Sequence, residues 1–334
     1  MTPDIFPAVT TILAGTALIE GALSQYALDE ITTCDLHAVQ VNDTYHARAG
    51  SSSYYLRVYT RGWRELHDIE SEVELLNRLR ALDVSVAYPI ATRNGEYIVS
   101  IDAMEGVRHA VLFPAAEGKS REITDHWSSE FGRVVGHLHV SMDRIPTPFN
   151  RFHLDHEHTL DAPLRSAEPL LAHRRRDYDY LLDISQQLRA RVDELLPKES
   201  PEYGLCHGDL HLGNIHFQDD GTHTLFDFDC FGYGWRAYDL AGFLSTLEAS
   251  KWDKTAKANR TRLWNRFLKG YEEHRTLSDA EREAVNVFVP ISDLWSMGLH
   301  AGWVARRGRG WCSDESFDLR IKTIKEWIDY YKVL

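Results

Sequence analysis

The stretch His207-Gly208-Asp209-Leu210-His211-Leu212-Gly213-Asn214, followed by Leu225-Phe226-Asp227-Phe228-Asp229, brings a carboxylate, a carboxamide and a second carboxylate into one short region. Phosphoryl transfer asks little covalent chemistry of a protein. It needs one base or orienting group for the nucleophile and oxygen ligands for a metal ion on the phosphates. Asp209 suits the first task, and Asn214 with Asp227 the second. Ile215 to Phe217 and Thr224 to Phe228 read as two short strands around Gln218-Asp219-Asp220-Gly221, and Asp-Gly is a strong hairpin signal. With Asp220-Gly221 as the loop, 217 faces 224 and Asn214 faces Asp227, their Cβ atoms about 4.5–5.5 Å apart. Hard oxygen donors at that spacing suit magnesium. A slip of one residue would turn the two groups to opposite faces.

Two plainer readings compete. His207, Asp209 and His211 alternate, and alternating His and Asp can ligate zinc in a hydrolase. With 17 histidines in 334 residues, however, such spacings arise by chance. The other reading is a turn and hairpin with polar decoration, which leaves the convergence of Asp209, Asn214 and Asp227 without a reason.

A chain of 334 residues, 43% of them hydrophobic, can bury a large core in two lobes. The formal charge of −13 argues against general nucleic-acid binding, which needs a basic footprint. Cys34, Cys206, Cys230 and Cys312 are scattered, which fits free thiols in a reducing compartment. Met1 to Pro7 lacks a cationic, apolar leader, so no signal peptide is expected. No run reaches the roughly 18 apolar residues of a membrane span. These features point to a cytoplasmic protein without membrane partners.

The first hundred residues read as a helix near Leu13–Leu28, strands at Leu36–Val41, Tyr45–Ala49 and Tyr54–Tyr59, and a helix over Arg64–Leu82 with apolar positions at 66, 69, 73, 76, 79 and 82. Strands near Glu96–Asp102 and Val107–Phe113 lead into a hinge-like Pro114-Ala115-Ala116-Glu117-Gly118. Helical runs follow at Trp127–His139, Tyr178–Leu196, Tyr238–Ser250, Arg260–His274, Asp279–Arg306 and Ser316–Tyr330. Gly118-Lys119-Ser120 mimics the end of a Walker A loop, but Phe113 stands where its first glycine belongs.

The loop His207–Asn214, the run Leu225–Asp229 and Gly234-Trp235-Arg236-Ala237-Tyr238-Asp239-Leu240-Ala241 together resemble the aminoglycoside phosphotransferase (APH-like) superfamily. Within it the chain is most similar to the branch of bacterial stress-response kinase A and related phosphotransferases. The resemblance implies an α+β, bilobal protein-kinase-like fold: a mixed β-sheet N-lobe over 1–113, a hinge at 114–118, and a mainly helical C-lobe over 119–334. It implies Asp209 as catalytic aspartate, Asn214 and Asp227 as catalytic metal ligands, Asp239 as a buttress of the catalytic loop, and ATP with Mg2+ as cofactors. Such an N-lobe needs a cation on the phosphates, paired with a helix carboxylate. Strand 54–59 offers Arg57 in place of lysine, and Glu72, on the inward helix face, is its partner. Phe113 and Ala115, at the hinge, are the further nucleotide-binding candidates. Asp229 stands where protein kinases have a glycine, so its role is open. No Gly-x-Gly-x-x-Gly covers the phosphates; Val41-Asn42-Asp43-Thr44-Tyr45 is the nearest candidate. The acceptor is expected to be a small-molecule hydroxyl (amino-alcohol, aminoglycoside or sugar), bound where Asp293, Trp295 and His300 lie. A serine/threonine protein kinase, a non-catalytic nucleotide-binding module and a zinc hydrolase remain alternatives.

Overall fold

A computed structural model of the chain describes residues 6–146, 148–247 and 254–334. In chain order it begins with α1 (Gly15–Gly21), β1 (Ile31–Val39), β2 (Asp43–Ala49), β3 (Ser52–Val58), α2 (Leu66–Ala81), β4 (Ile98–Ala103) and β5 (Gly106–Pro114). Next come α3 (Asp125–Asp143), β6 (His153–Leu154), α4 (Ala162–Ala167), α5 (Arg175–Leu195), β7 (Tyr203–Cys206), β8 (Ile215–Phe217), β9 (His223–Leu225) and β10 (Gly232–Trp235). Helices α6 (Arg236–Ser245), α7 (Lys254–Tyr271), α8 (Asp279–Gly302), α9 (Val304–Arg307) and α10 (Asp314–Tyr331) complete it. The chain divides into two compact units: Met1–Lys119 with Thr147–Arg151 and Thr222–Asp229, and Ser120–Pro146 with Phe152–Gly221 and Cys230–Leu334.

The first unit is built on an antiparallel sheet in the order β1-β2-β3-β5-β4. Tyr45, Ala47 and Ala49 alternate into its core with Leu18, Leu56, Val58, Val99 and Leu112. The amphipathic period of α2 buries Ile69, Val73, Leu76 and Leu79, and with them Glu72. Its start is fixed by a capping box between Glu65 and Asp68. Where a helix was expected over Leu13–Leu28, α1 stops at Gly21, and Tyr26 turns extended to bridge Thr92. Strand β1 starts at Ile31, ahead of the expected Leu36. It is an edge strand, mostly exposed, so no apolar alternation marks its first half. β9 is held by Ser85 and Ala87, which exchange hydrogen bonds of 3.0 and 2.8 Å with Leu225.

The second unit is mainly helical around a small sheet in which β10 runs parallel to β6 and antiparallel to β7. Helices α3 and α7 cross closely because glycines meet there. A Cβ on Gly132 would lie 1.9 Å from the Phe267 carbonyl oxygen, and one on Gly270 1.9 Å from that of Ser129. Pro290 inside α8 has no N–H for the Asn286 carbonyl, which accepts a 3.0 Å bond from Trp327 Nε1 instead. The expected single helix 279–306 is two, α8 and α9, and part of the expected run to Ser250 lies outside the described residues. Among the described residues no helix is long and apolar enough to cross a membrane.

Candidate active site

In the first unit Arg57 projects from β3 between two carboxylates. Its Nη1 lies 2.8 Å from Glu72 Oε1, and its Nη2 lies 2.8 Å from Asp227 Oδ1. Burial by itself would weaken the guanidinium as a cation, but Asp227 and Glu72 hold its pKa well above the usual value. The α2 face that buries Ile69 carries Glu72 inward, whereas Glu70 and Glu74 stay exposed. Tyr59 donates its hydroxyl to Glu72 Oε2 at 2.7 Å. Burial pushes the Glu72 carboxyl up, against the pull of Arg57. The Phe113 ring packs against Arg57, 5.3 Å from its Cζ. Ala115 stands apart from this group. Its N–H donates to the Ser53 carbonyl at 3.0 Å, and it lines a cavity of about 700 Å³ with Arg80, Tyr88, Pro89 and Glu117.

Asp227 and Asp229 differ sharply. Asp227 has left-handed backbone, with φ of +67°, and keeps 40% of its side-chain surface exposed. Asp229 keeps 6%. Asn42 Nδ2 donates to its Oδ2 at 2.6 Å, Trp63 Nε1 to the same oxygen at 2.9 Å, and Arg64 Nε to its Oδ1 at 2.7 Å. Arg151 donates to its backbone carbonyl. Burial would raise the Asp229 pKa, yet Arg64 and Arg57 hold it below the ordinary carboxylate range. Asp229 is a buried anchor that joins the β1–β2 turn to the start of α2. Asn42, one residue of the candidate phosphate-covering segment Val41–Tyr45, is part of that anchor, and its Oδ1 accepts from Thr60 N at 3.2 Å.

In the second unit the loop after β7 turns sharply at Gly208, whose φ of +84° and 2.1 Å distance from a built Cβ to the Cys230 carbonyl admit glycine alone. The Asp239 carboxylate accepts the N–H groups of His207 and Gly208, each at 2.7 Å. The His207 ring, fully buried, accepts from Asp209 N at 3.3 Å. Asp209 keeps 41% of its side-chain surface exposed. Asn214, in the 3-10 turn Leu212–Asn214, donates Nδ2 to the Asp209 carbonyl at 2.9 Å and to Asp209 Oδ2 at 3.2 Å. Burial would raise the Asp209 pKa, but His211, its Nε2 3.7 Å from Asp209 Oδ2, holds it below the usual range. Its carboxylate is ionised at neutral pH, steadied on one side and open on the other. Such a group can take a hydrogen bond from a hydroxyl and then its proton.

No strand ladder pairs Asn214 with Asp227. Neither residue lies in a strand: β8 starts after Asn214 and β9 ends before Asp227. The backbone of Asp227 is turned to positive φ, so strand alternation does not govern where either side chain points. Among the described residues no group of three or more His, Cys, Asp or Glu is placed to hold a metal ion.

Residues 35–283 match the APH family, a phosphotransferase enzyme family. The chain belongs to the APH phosphotransferase family. Over 271 residues it is 28% identical to amicoumacin kinase of Bacillus subtilis, covering 77% of this chain and 76% of that one. A microcompartment-associated aminopropanol kinase superposes with a TM-score of 0.74 at 25% identity, over 96% of this chain and 99% of its own. The amicoumacin kinase hAmiN, in complex with AMP-PNP, Ca2+ and Ami, gives a TM-score of 0.76 at 21% identity, over 94% of this chain and 93% of its own.

This APH chain is therefore a phosphotransferase with an α+β, protein-kinase-like fold, and its named relatives are small-molecule kinases. Sequence reasoning missed Trp63, Arg64 and Arg151 around Asp229, and Tyr59 beneath Glu72, and it read Asn42 as part of a phosphate-covering turn rather than as a partner of Asp229. Only Tyr59 carried a signal, since it follows Arg57 at strand spacing.

Proposed function

We propose that this APH phosphotransferase moves the γ-phosphate of ATP to a hydroxyl of a small molecule, with magnesium, in the cytoplasm. The observation that carries the reading is the Asp209–Asn214 pair, an ionised and half-exposed carboxylate held by a carboxamide on a loop fixed through Asp239. In this reading the 1–113 lobe and the 114–118 hinge take the nucleotide and the 119–334 lobe takes the acceptor. The hAmiN complex, with AMP-PNP and a divalent ion, supports that choice of donor. Among the described residues no two cysteines form a disulfide, which supports a reducing compartment.

The donor set fits magnesium. Asn214 Oδ1 takes no hydrogen bond from a described residue, and Asp227 presents a hard, exposed carboxylate. Asn214 and Asp227 are the proposed ligands, whereas the oxygens of Asp229 are taken up by Asn42, Trp63 and Arg64. When bound, magnesium would neutralise charge on the phosphates. Arg57, braced by Glu72, pairs with phosphate oxygens and gives up its contact with Asp227 to do so. Phe113 and Ala115 flank the nucleotide. Asp209 orients the acceptor hydroxyl and takes its proton as the oxygen bonds to phosphorus and ADP leaves. Positioning and charge neutralisation supply most of the acceleration.

The test is to incubate the enzyme with γ-labelled ATP and Mg2+ against a panel of amino-alcohols, aminoglycosides and sugars. Label should pass to at least one small hydroxyl compound. Transfer to protein alone, or none at all, would contradict the reading.

A further inference from the structure

Asn286, Asp293 and His300 follow one another at every seventh residue, about two turns each, and so share one stripe of α8. That stripe faces α10. At one end the Asn286 carbonyl accepts from Trp327 Nε1 at 3.0 Å, and at the other Arg320 Nη2 donates to His300 Nδ1 at 2.8 Å. Asp293 stands midway, where a helix packed on another ordinarily carries an apolar side chain. Trp295 turns off the stripe and stacks on His158, ring centroids 6.5 Å apart.

Among the described residues the Asp293 carboxylate has no hydrogen bond and no ion pair. Burial pushes its pKa up to about 6, and Arg320 draws it back only in part. Burial also lowers the Arg320 pKa, against the pull of Asp293. The two charges act on each other without meeting, because the Arg320 fork is turned to His300. That ring is neutral, its pKa brought down to about 4 by burial and then by Arg320 and Arg307, so it holds Arg320 without cancelling its charge. Trp311, 63% exposed, stacks on the same ring with centroids 5.3 Å apart. Asp293, His300 and Arg320 are half-buried, so each keeps a side open.

Opposite charges drawn partly out of water are stabilised by pairing and are costly when left apart. A structural ion pair would close this gap. A small molecule bearing both signs closes it from outside. We propose that the acceptor is a hydroxylated zwitterion, an amino acid with a hydroxyl group, whose ammonium binds Asp293 and whose carboxylate binds Arg320 as held by His300. This deepens the reading above and rests on it. The acceptor oxygen bonds to the γ-phosphorus while the bond to the bridging oxygen of ADP breaks, and the hydroxyl proton passes to Asp209. An uncharged sugar would leave both charges unmatched, an amino-alcohol would leave Arg320 unmatched, and a polycationic aminoglycoside would be repelled by it.

The probes are hydroxy amino acids of increasing chain length, from serine upward. Each is set beside the amino-alcohol that lacks the carboxylate and the hydroxy acid that lacks the ammonium. Label transfer from γ-labelled ATP gives kcat/KM in wild type, Asp293→Asn and Arg320→Gln. Wild type should favour the amino acid of fitting length over both partial analogues by roughly ten-fold or more, the usual worth of a charged contact. Asp293→Asn should erase the advantage over the hydroxy acid, and Arg320→Gln the advantage over the amino-alcohol. Each variant should keep the other preference, a crossed pattern that a general loosening of α8 against α10 would not produce. The proposal is overturned if a partial analogue, sugar or aminoglycoside serves wild type equally well, or if both variants slow all acceptors alike. If no compound is labelled, the phosphotransfer reading fails, and calorimetry with the same compounds decides the site alone. Selective binding of the amino acid that both variants abolish upholds it, and equal binding of all three kinds overturns it.

Discussion

Asp227 and Asp229 are separated only by Phe228, yet one is an open carboxylate and the other a sealed anchor. Replacing either with alanine should separate the two roles. Loss of Asp229 strands Arg64 without its buried partner, a change that typically costs about 3–5 kcal/mol. Asp227→Ala leaves Arg57 paired with Glu72 but puts alanine at a φ of +67°, so it should cost less, about 1–2 kcal/mol. Urea denaturation measures both. Calorimetry should find that Asp227→Ala no longer binds ATP in a magnesium-dependent way; an unchanged magnesium dependence would remove Asp227 from the metal site. His139 supplies a pH signature. Its folded pKa, about 4, lies below the ordinary 6.5, so protons bind the unfolded chain preferentially between these values. Stability should therefore be full above pH 6.5 and fall as pH drops towards 4, by roughly 3 kcal/mol for a shift of this size. His300, also brought down to about 4 by burial, contributes in the same direction. His139→Gln should therefore flatten the curve only in part, and a curve identical to wild type would show that His139 is not buried neutral. The candidates of the Asp209 loop and Arg57 with Glu72 were legible because they sit in short local patterns. The partners of Asp229 were not: Asn42, Trp63, Arg64 and Arg151 come from distant stretches of the chain, with no spacing to link them.

At the scale of elements, long amphipathic helices were readable, and short strands only where a turn signal such as Asp220-Gly221 set them off, as for β8 and β9. The period of α2 marked both its core face and the inward place of Glu72. Strands β6, β7 and β10, of two to four residues, carry too little alternation to register, although they lead into the loop that bears Asp209 and into α6, which bears Asp239. The edge strand β1 hid for a different reason, since solvent on most of its residues removes the apolar signal. The α3–α7 crossing gives a test at this level. A methyl group on Gly132 would stand against the Phe267 carbonyl, and overpacking of this kind costs about 1–3 kcal/mol. Gly132→Ala should thus melt several degrees lower, as read by circular dichroism. The exposed Gly62→Ala cannot serve as its control, because positive φ strains that position for its own reasons; Gly302→Ala, in open space at the end of α8, can. Equal melting temperatures for Gly132→Ala and Gly302→Ala would mean that the helices do not cross as closely as described.

For the whole molecule, a net charge of −13 and a polyphosphate substrate are compatible because screening confines repulsion to about 8 Å, within which Arg57 acts. The protein-kinase-like fold was implied by the resemblance that the Asp209 loop and the Asp227 run carry, but fold alone leaves the acceptor open. The central claim is that Asp209 activates a hydroxyl for attack on Mg·ATP, and it is tested most directly by label transfer from γ-labelled ATP in wild type and Asp209→Asn, with Mg·ATP affinity measured alongside. Turnover in Asp209→Asn should fall by about 10²–10⁴-fold, the usual worth of a general base, while Mg·ATP affinity stays close to wild type. Near-normal turnover in that variant would contradict the account.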